Sequence, residues 1–196
     1  MNVFYRNKAG SVATPVWDDL RTPGHAVRAS GGSPPDLVAG FGGNASLYSL
    51  QFNGAGSTVE EVFFDIQMPH TWKQGSVIYP HVHFSPTSTN TADTVSRTVR
   101  FVLDYTWVNV NDAFGVVSSV EMTKAFIPND ALWQHLIASN ATGIDGTGKN
   151  ISSVLKCRLY RDPGNAADTY PQDVALNSFD IHFQVDSLGS TLEYTK

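Results

Sequence analysis

The side chains best placed for chemistry are the two histidines of Gly75-Ser-Val-Ile-Tyr-Pro-His81-Val-His83. On a strand, residues i and i+2 point to the same face, so His81 and His83 set two imidazoles side by side, a spacing that can chelate a divalent metal. His182 lies on the polar face of its own strand and completes a three-histidine set if the two strands are neighbours. His70 and His135 fall on a turn and on a candidate short helix, Asp130 to Ser139, and are poorer ligands. The plainer reading is that Ile78, Val82 and Phe84 form the buried face, leaving Tyr79, His81 and His83 to solvent or to a subunit interface. There they hydrogen-bond across the contact rather than bind metal. A threefold axis would gather His81 and His83 from three chains into one cluster.

The same segment resembles the first half of the cupin metal motif, G-x5-H-x-H, which implies a jelly-roll metal site. The next residues, Phe84-Ser-Pro-Thr-Ser-Thr-Asn90, supply no glutamate, and no second cupin motif follows. Gly143-Ile-Asp-Gly-Thr-Gly-Lys149-Asn150 nearly spells a phosphate-binding loop. It has Asn150 where a magnesium-binding hydroxyl belongs, and it leads into an alternating, strand-like stretch instead of a helix. It reads as a glycine-rich hairpin connection. Carboxylates at Asp18-Asp19, Glu60-Glu61, Asp104, Asp180 and Asp186 offer no pairing that linear spacing can establish. Cys157, between Leu155 and Leu159 on one strand face, reads as a small buried hydrophobe, and as the single cysteine it can form no intrachain disulfide. Arg158, Arg161 and Asp162 read as surface or interface ion pairs. No enzyme activity and no cofactor are expected. Metal binding is not expected either, with His81, His83 and His182 the only candidates for it.

The elements that must position these residues are strands. Val62, Phe64, Ile66 and Met68 alternate with polar neighbours. Val99, Phe101, Leu103, Tyr105 and Trp107 form a second stripe, and Phe179, Ile181, Phe183 and Val185 a third. With further candidates at Ala45–Asn53, Val77–Phe84, Gly115–Ile127, Ile151–Arg161 and Thr191–Tyr194, about eight strands are expected in residues 45–196. Together they make an all-β, antiparallel jelly roll or β-sandwich. Residues 1–44 are broken by Gly and Pro too often for a long element and read as an extended N-terminal arm. Its scattered apolar residues, among them Phe4, Tyr5, Trp17, Leu20 and Phe41, must pack on the parent domain or on a neighbouring chain.

Charge narrows the partners. Thirteen Lys and Arg against eighteen Asp and Glu give a net charge of −5, which argues against a phosphate-backbone binder. Charged residues are only 16% of the chain, so much of the surface is Ser, Thr, Asn and Gly. No apolar run approaches a membrane span, and the first ten residues lack a signal-peptide core, so synthesis in the cytoplasm and no membrane partner are expected.

Trp17-Asp-Asp-Leu-Arg21, Met68-Pro-His-Thr-Trp-Lys73, Pro80-His-Val-His-Phe84, Leu103-Asp-Tyr-Thr-Trp107, Cys157-Arg-Leu-Tyr-Arg-Asp162 and the ending Gln184 to Lys196 occur in an order that resembles a family of tailed-bacteriophage virion proteins of about this length. The resemblance implies a structural role, as a decoration or cement protein on the capsid surface that bridges subunits of the major capsid protein, as a homo-oligomer and most simply a trimer. Phe4, Tyr5, Trp17, Leu20, Arg21 and Phe41 are then the expected partner-binding residues, and removing residues 2–30 should abolish capsid binding while leaving the domain folded. A tail, fibre or host-receptor-binding component is the alternative within the virion. A cupin-like metal-binding protein is the alternative outside that role.

Overall fold

The computed structural model describes residues 15–88 and 93–196; Phe4 and Tyr5 lie outside them. Eleven strands form one antiparallel sheet: β1 (Val16–Pro23), β2 (Arg28–Ala29), β3 (Asp36–Ala39), β4 (Tyr48–Phe52), β5 (Glu60–Gln67), β6 (Ile78–Pro86), β7 (Arg97–Val108), β8 (Ser118–Phe126), β9 (Leu136–Ser139), β10 (Val154–Arg161) and β11 (Val174–Val185). Their order is β2-β5-β10-β7-β8-β9-β6-β11-β4-β3, with β1 also on β11. The link between β8 and β9 is a single pair, Thr123 with Ser139, and there the sheet turns over. The two halves then face each other as a sandwich. Phe64 of β5 meets Phe179 of β11 at 4.8 Å between ring centroids, and Phe52 of β4 meets Phe101 of β7 at 5.6 Å. The all-β, jelly-roll-like sandwich expected from period-two patterning is the observed fold.

Alternation decides which side chains enter the core. Val62, Phe64 and Ile66 of β5, Ile78, Val82 and Phe84 of β6, and Phe179, Ile181 and Phe183 of β11 are buried between the layers. Each large apolar side chain so buried contributes about 1.5–3 kcal/mol relative to exposure. Inside this layer Arg161 is fully enclosed. Its Nε and Nη2 donate to Asp168 at 2.8 and 2.9 Å, and Nη1 donates to the Gln172 carbonyl at 2.8 Å. The expectation of a surface or interface ion pair at Arg161 is corrected: a guanidinium whose donors are all met by the chain can be buried. Arg158 does sit on the surface side, between Glu61 and Asp104.

Three differences from the sequence reading matter for the site. Residues 16–39 contribute three strands, β1, β2 and β3, to the sheet: β1 runs along β11 from Val16 opposite Val185 to Pro23 opposite Ser178, and Leu20 packs against the core. Gly24 then passes so close to β11 that a Cβ there would meet the Leu176 carbonyl oxygen at 2.7 Å. Prolines 15 and 23 bracket β1, which is compatible with an edge strand that needs ladder donors on one side only. The expected helix at Asp130–Ser139 is instead a single 3-10 turn, Pro128–Asp130, followed by β9, and Thr191–Tyr194 forms no strand.

Candidate functional site

Register builds the site on the outer face of β6, β11 and β1. In β6 and β11 the apolar residues turn inward, so Tyr79, His81 and His83 of the one and Asp180 and His182 of the other turn outward. Pairing sets His81 opposite Asp180 and Tyr79 opposite His182. On the far side of β11, β1 sets Arg21 opposite Asp180 and Asp19 opposite His182. Two cross-strand rows result, Tyr79–His182–Asp19 and His81–Asp180–Arg21, with directly opposed side chains close enough to interact.

Asp180 is the centre. Its side chain is only 1% exposed, although it lies on the outer face, because His81, His83 and Arg21 surround it. Oδ2 lies 3.4 Å from Arg21 Nε, 3.4 Å from His83 Nε2 and 3.9 Å from His81 Nε2. Neither Asp180 Oδ1 nor His83 Nε2 makes a hydrogen bond, and both are buried. His83 Nδ1 is 2.6 Å from His135 Nε2 on the segment leading into β9, and the two rings stack at 4.8 Å. Burial pushes the His83 imidazole's pKa down, against the opposite pull of the Asp180 carboxylate. In the neighbouring row, His182 Nδ1 bonds Asp19 Oδ1 at 2.7 Å, and its ring lies flat on Trp17 at 4.8 Å and 8°. Trp17 in turn meets Tyr79 edge-on at 5.7 Å. An open depression of about 400 Å³, lined by Asp19, Tyr79, His81, His83, Asn140 and His182 among others, gives solvent access to the cluster.

The structure therefore joins two sets of residues that the sequence suggested separately. His81 and His83 come together as expected. His182 is on the same face but engaged with Asp19 and Trp17, and its ring centroid is 6.3 Å from that of His81. Trp17 and Arg21 of the arm cover this face, whereas Leu20 turns to the core. Phe41 packs on Trp133 at 5.2 Å and lines a hollow of about 370 Å³ with Leu37, Tyr48 and Leu50. Sequence reasoning set Asp180 aside as one carboxylate among several. The usable signal was its place two residues before His182 on the polar stripe, but only the β6–β11 register shows what it faces. His135 was discounted because the segment before β9 reads as helix.

The other motifs are accounted for within the chain. Lys149 of the glycine-rich segment donates to the Trp107 carbonyl at 2.7 Å, and no helix follows. Cys157 is buried beneath the sheet surface, which pushes its thiol up to about 12. Among the described residues, His81, His83 and Asp180 are the one group of three such side chains able to hold a metal ion, their ligand atoms all within 4.8 Å of one another.

No family model matches the chain. No curated protein matches it either. Among solved structures, the CBM22-1–CBM22-2 tandem domain at the N-terminus of Xyn10C from Paenibacillus barcinonensis is similar at 11% identity and a TM-score of 0.48, over 93% of this chain and 52% of that one. The CBM22-1–GH10 modules of xylanase Xyn10B from Clostridium thermocellum, complexed with xylohexaose, give 12% identity and a TM-score of 0.39, over 90% of this chain and 27% of that one. A xylan-binding module, CBM15, gives 11% identity and a TM-score of 0.33, over 89% and 100%. The chain thus spans about half the length of the first of these structures and about a quarter of the second.

Proposed function

We propose that the chain is a non-catalytic virion structural protein, a decoration or cement subunit that binds the major capsid protein on the outside of a phage head as a homo-oligomer. The ordered motifs from Trp17 to Lys196 that resemble tailed-phage virion proteins support the virion role. The observation that carries the docking surface is the apolar edge formed by β3, β4 and the turn between them. Leu37 is 67% exposed, Tyr48 63% and Leu47 50%, and β3 has one strand neighbour, leaving its other backbone edge unpaired among the described residues. An exposed strand edge with apolar side chains is a liability in a protein made at high copy unless a partner covers it. Repetition over a symmetric shell converts many such modest contacts into stable attachment.

Binding to DNA-free heads assembled from the major capsid protein of the same genome tests this reading. Leu37→Asp and Tyr48→Asp alter exposed side chains and should leave melting unchanged while weakening co-sedimentation at least about tenfold, since every 1.4 kcal/mol is a factor of ten. Unchanged head binding by both variants would overturn the docking edge. Binding to host cells with none to heads would move the chain to the tail or fibre.

A further inference from the structure

We propose that His81, His83 and Asp180 form a binding site for one first-row divalent transition metal ion, of the zinc and cobalt class, that clamps β6 to β11 beneath the arm. The site is built within a single chain and does not depend on the capsid role.

Two buried polar atoms without hydrogen bonds, Asp180 Oδ1 and His83 Nε2, sit in this one cluster. Buried polar groups in folded proteins are almost always paired, so two orphans side by side ask for a shared partner. The flanking residues leave both atoms without a hydrogen bond: Arg21 is directed at Oδ2, and His83 Nδ1 is paired with His135. A cation satisfies the carboxylate and the imidazole lone pair together.

The hydrogen bond to His135 prepares His83 for that task. In the tautomer in which His83 Nδ1–H donates to His135 Nε2, the proton is held on the far nitrogen and Nε2 presents its lone pair toward Asp180. An outer partner fixing the tautomer of a ligating histidine is the common arrangement at metal sites. The spacing fits as well. Metal–ligand bonds of roughly 2.0–2.1 Å in tetrahedral geometry separate donor atoms by about 3.3 Å. His83 Nε2 and Asp180 Oδ2 are 3.4 Å apart, and His81 Nε2 is 3.9 Å from the same oxygen, a difference a small ring rotation removes. Arg21, with 64% of its side chain exposed, can swing to solvent as a dication arrives.

The donor set selects the ion. Two imidazole nitrogens and one carboxylate suit zinc, cobalt or nickel, whereas calcium and magnesium require mostly oxygen ligands. His81 and His83 also line the depression beside Tyr79 and Asn140, from which water or an outside donor would complete the coordination.

The test uses the tag-free full chain, stripped with chelator, dialysed and titrated calorimetrically with zinc chloride, with cobalt(II) absorption in the visible as a readout of nitrogen and oxygen coordination. The expected result is about one zinc per chain, a rise in melting temperature on loading, and no response to magnesium. His83→Gln and His81→Gln should each weaken binding more than about 100-fold, and the positioning residue His135→Gln about 10–100-fold with the cobalt spectrum retained. His70→Gln, on the remote Ser152 and Ser190 contacts, should bind as the unaltered chain does. His81→Gln keeps the experiment decisive if His83→Gln fails to fold. Less than about one zinc per five chains at saturation, or zinc affinity in His81→Gln and His83→Gln unchanged from that of the unaltered chain, would overturn the site.

Discussion

Arg161 and Asp168 show how far a residue's environment can depart from what its type suggests. Arg161 sits in the core because Asp168 and the carbonyls of Phe52, Tyr170 and Gln172 take up its donors. Such a pair adds little over an apolar substitute, but breaking it strands a buried charge. Asp168→Asn should therefore lower unfolding free energy by about 3–5 kcal/mol in chemical denaturation; a loss below about 1 kcal/mol would mean the guanidinium finds water. Cys157 is the opposite case, a group kept neutral by burial. Its thiol is raised from 9.0 to about 12, so it should resist iodoacetamide at pH 8 in the folded chain and react once unfolded. The linkage has a definite sign. A folded pKa above the unfolded one leaves the contribution to stability intact below about pH 9, and it is lost as pH rises toward about 12. A melting temperature falling through that window, and falling less in Cys157→Ala, is the expected outcome.

At the scale of elements, β1 changes how the arm can be tested. Eight residues of β1 pair with β11, Leu20 packs on the core, and Arg21 and Trp17 cover the histidine face. Removing residues 2–30 should therefore destabilise the domain and expose Asp180, contrary to the expectation drawn from its Gly and Pro content. Melting of that truncation, compared with removal of residues 2–14 alone, measures the difference; equal melting would show that β1 is dispensable. The strands of the two layers were legible because alternation is a local signal: Phe64, Phe101 and Phe179 each sit in clear period-two stripes. β1 and β9 were not, because an edge strand with one covered side needs no strict alternation, and Leu132, His135 and Leu136 happen to fall at helical spacing. The candidate site was half legible for the same reason. His81 and His83 share a face by local geometry, whereas Asp180 and Arg21 join them only through pairings of strands about 100 and 160 residues apart in sequence.

For the whole molecule, the proposed role divides the surface by task. The histidine face is flanked by the chain's own β1, while the β3–β4 edge leaves Leu37, Leu47 and Tyr48 in solvent. A second exposed apolar stretch, with Val116 at 89% and Phe114 at 51% exposure, lies in the connection between β7 and β8. Imaging DNA-free heads by electron cryomicroscopy after saturation with the purified chain tests the proposal most directly. The expected result is β-sandwich density at symmetry-related positions on the outer shell, with the β3–β4 edge against the capsid protein. Bare shells at saturating concentration would contradict it.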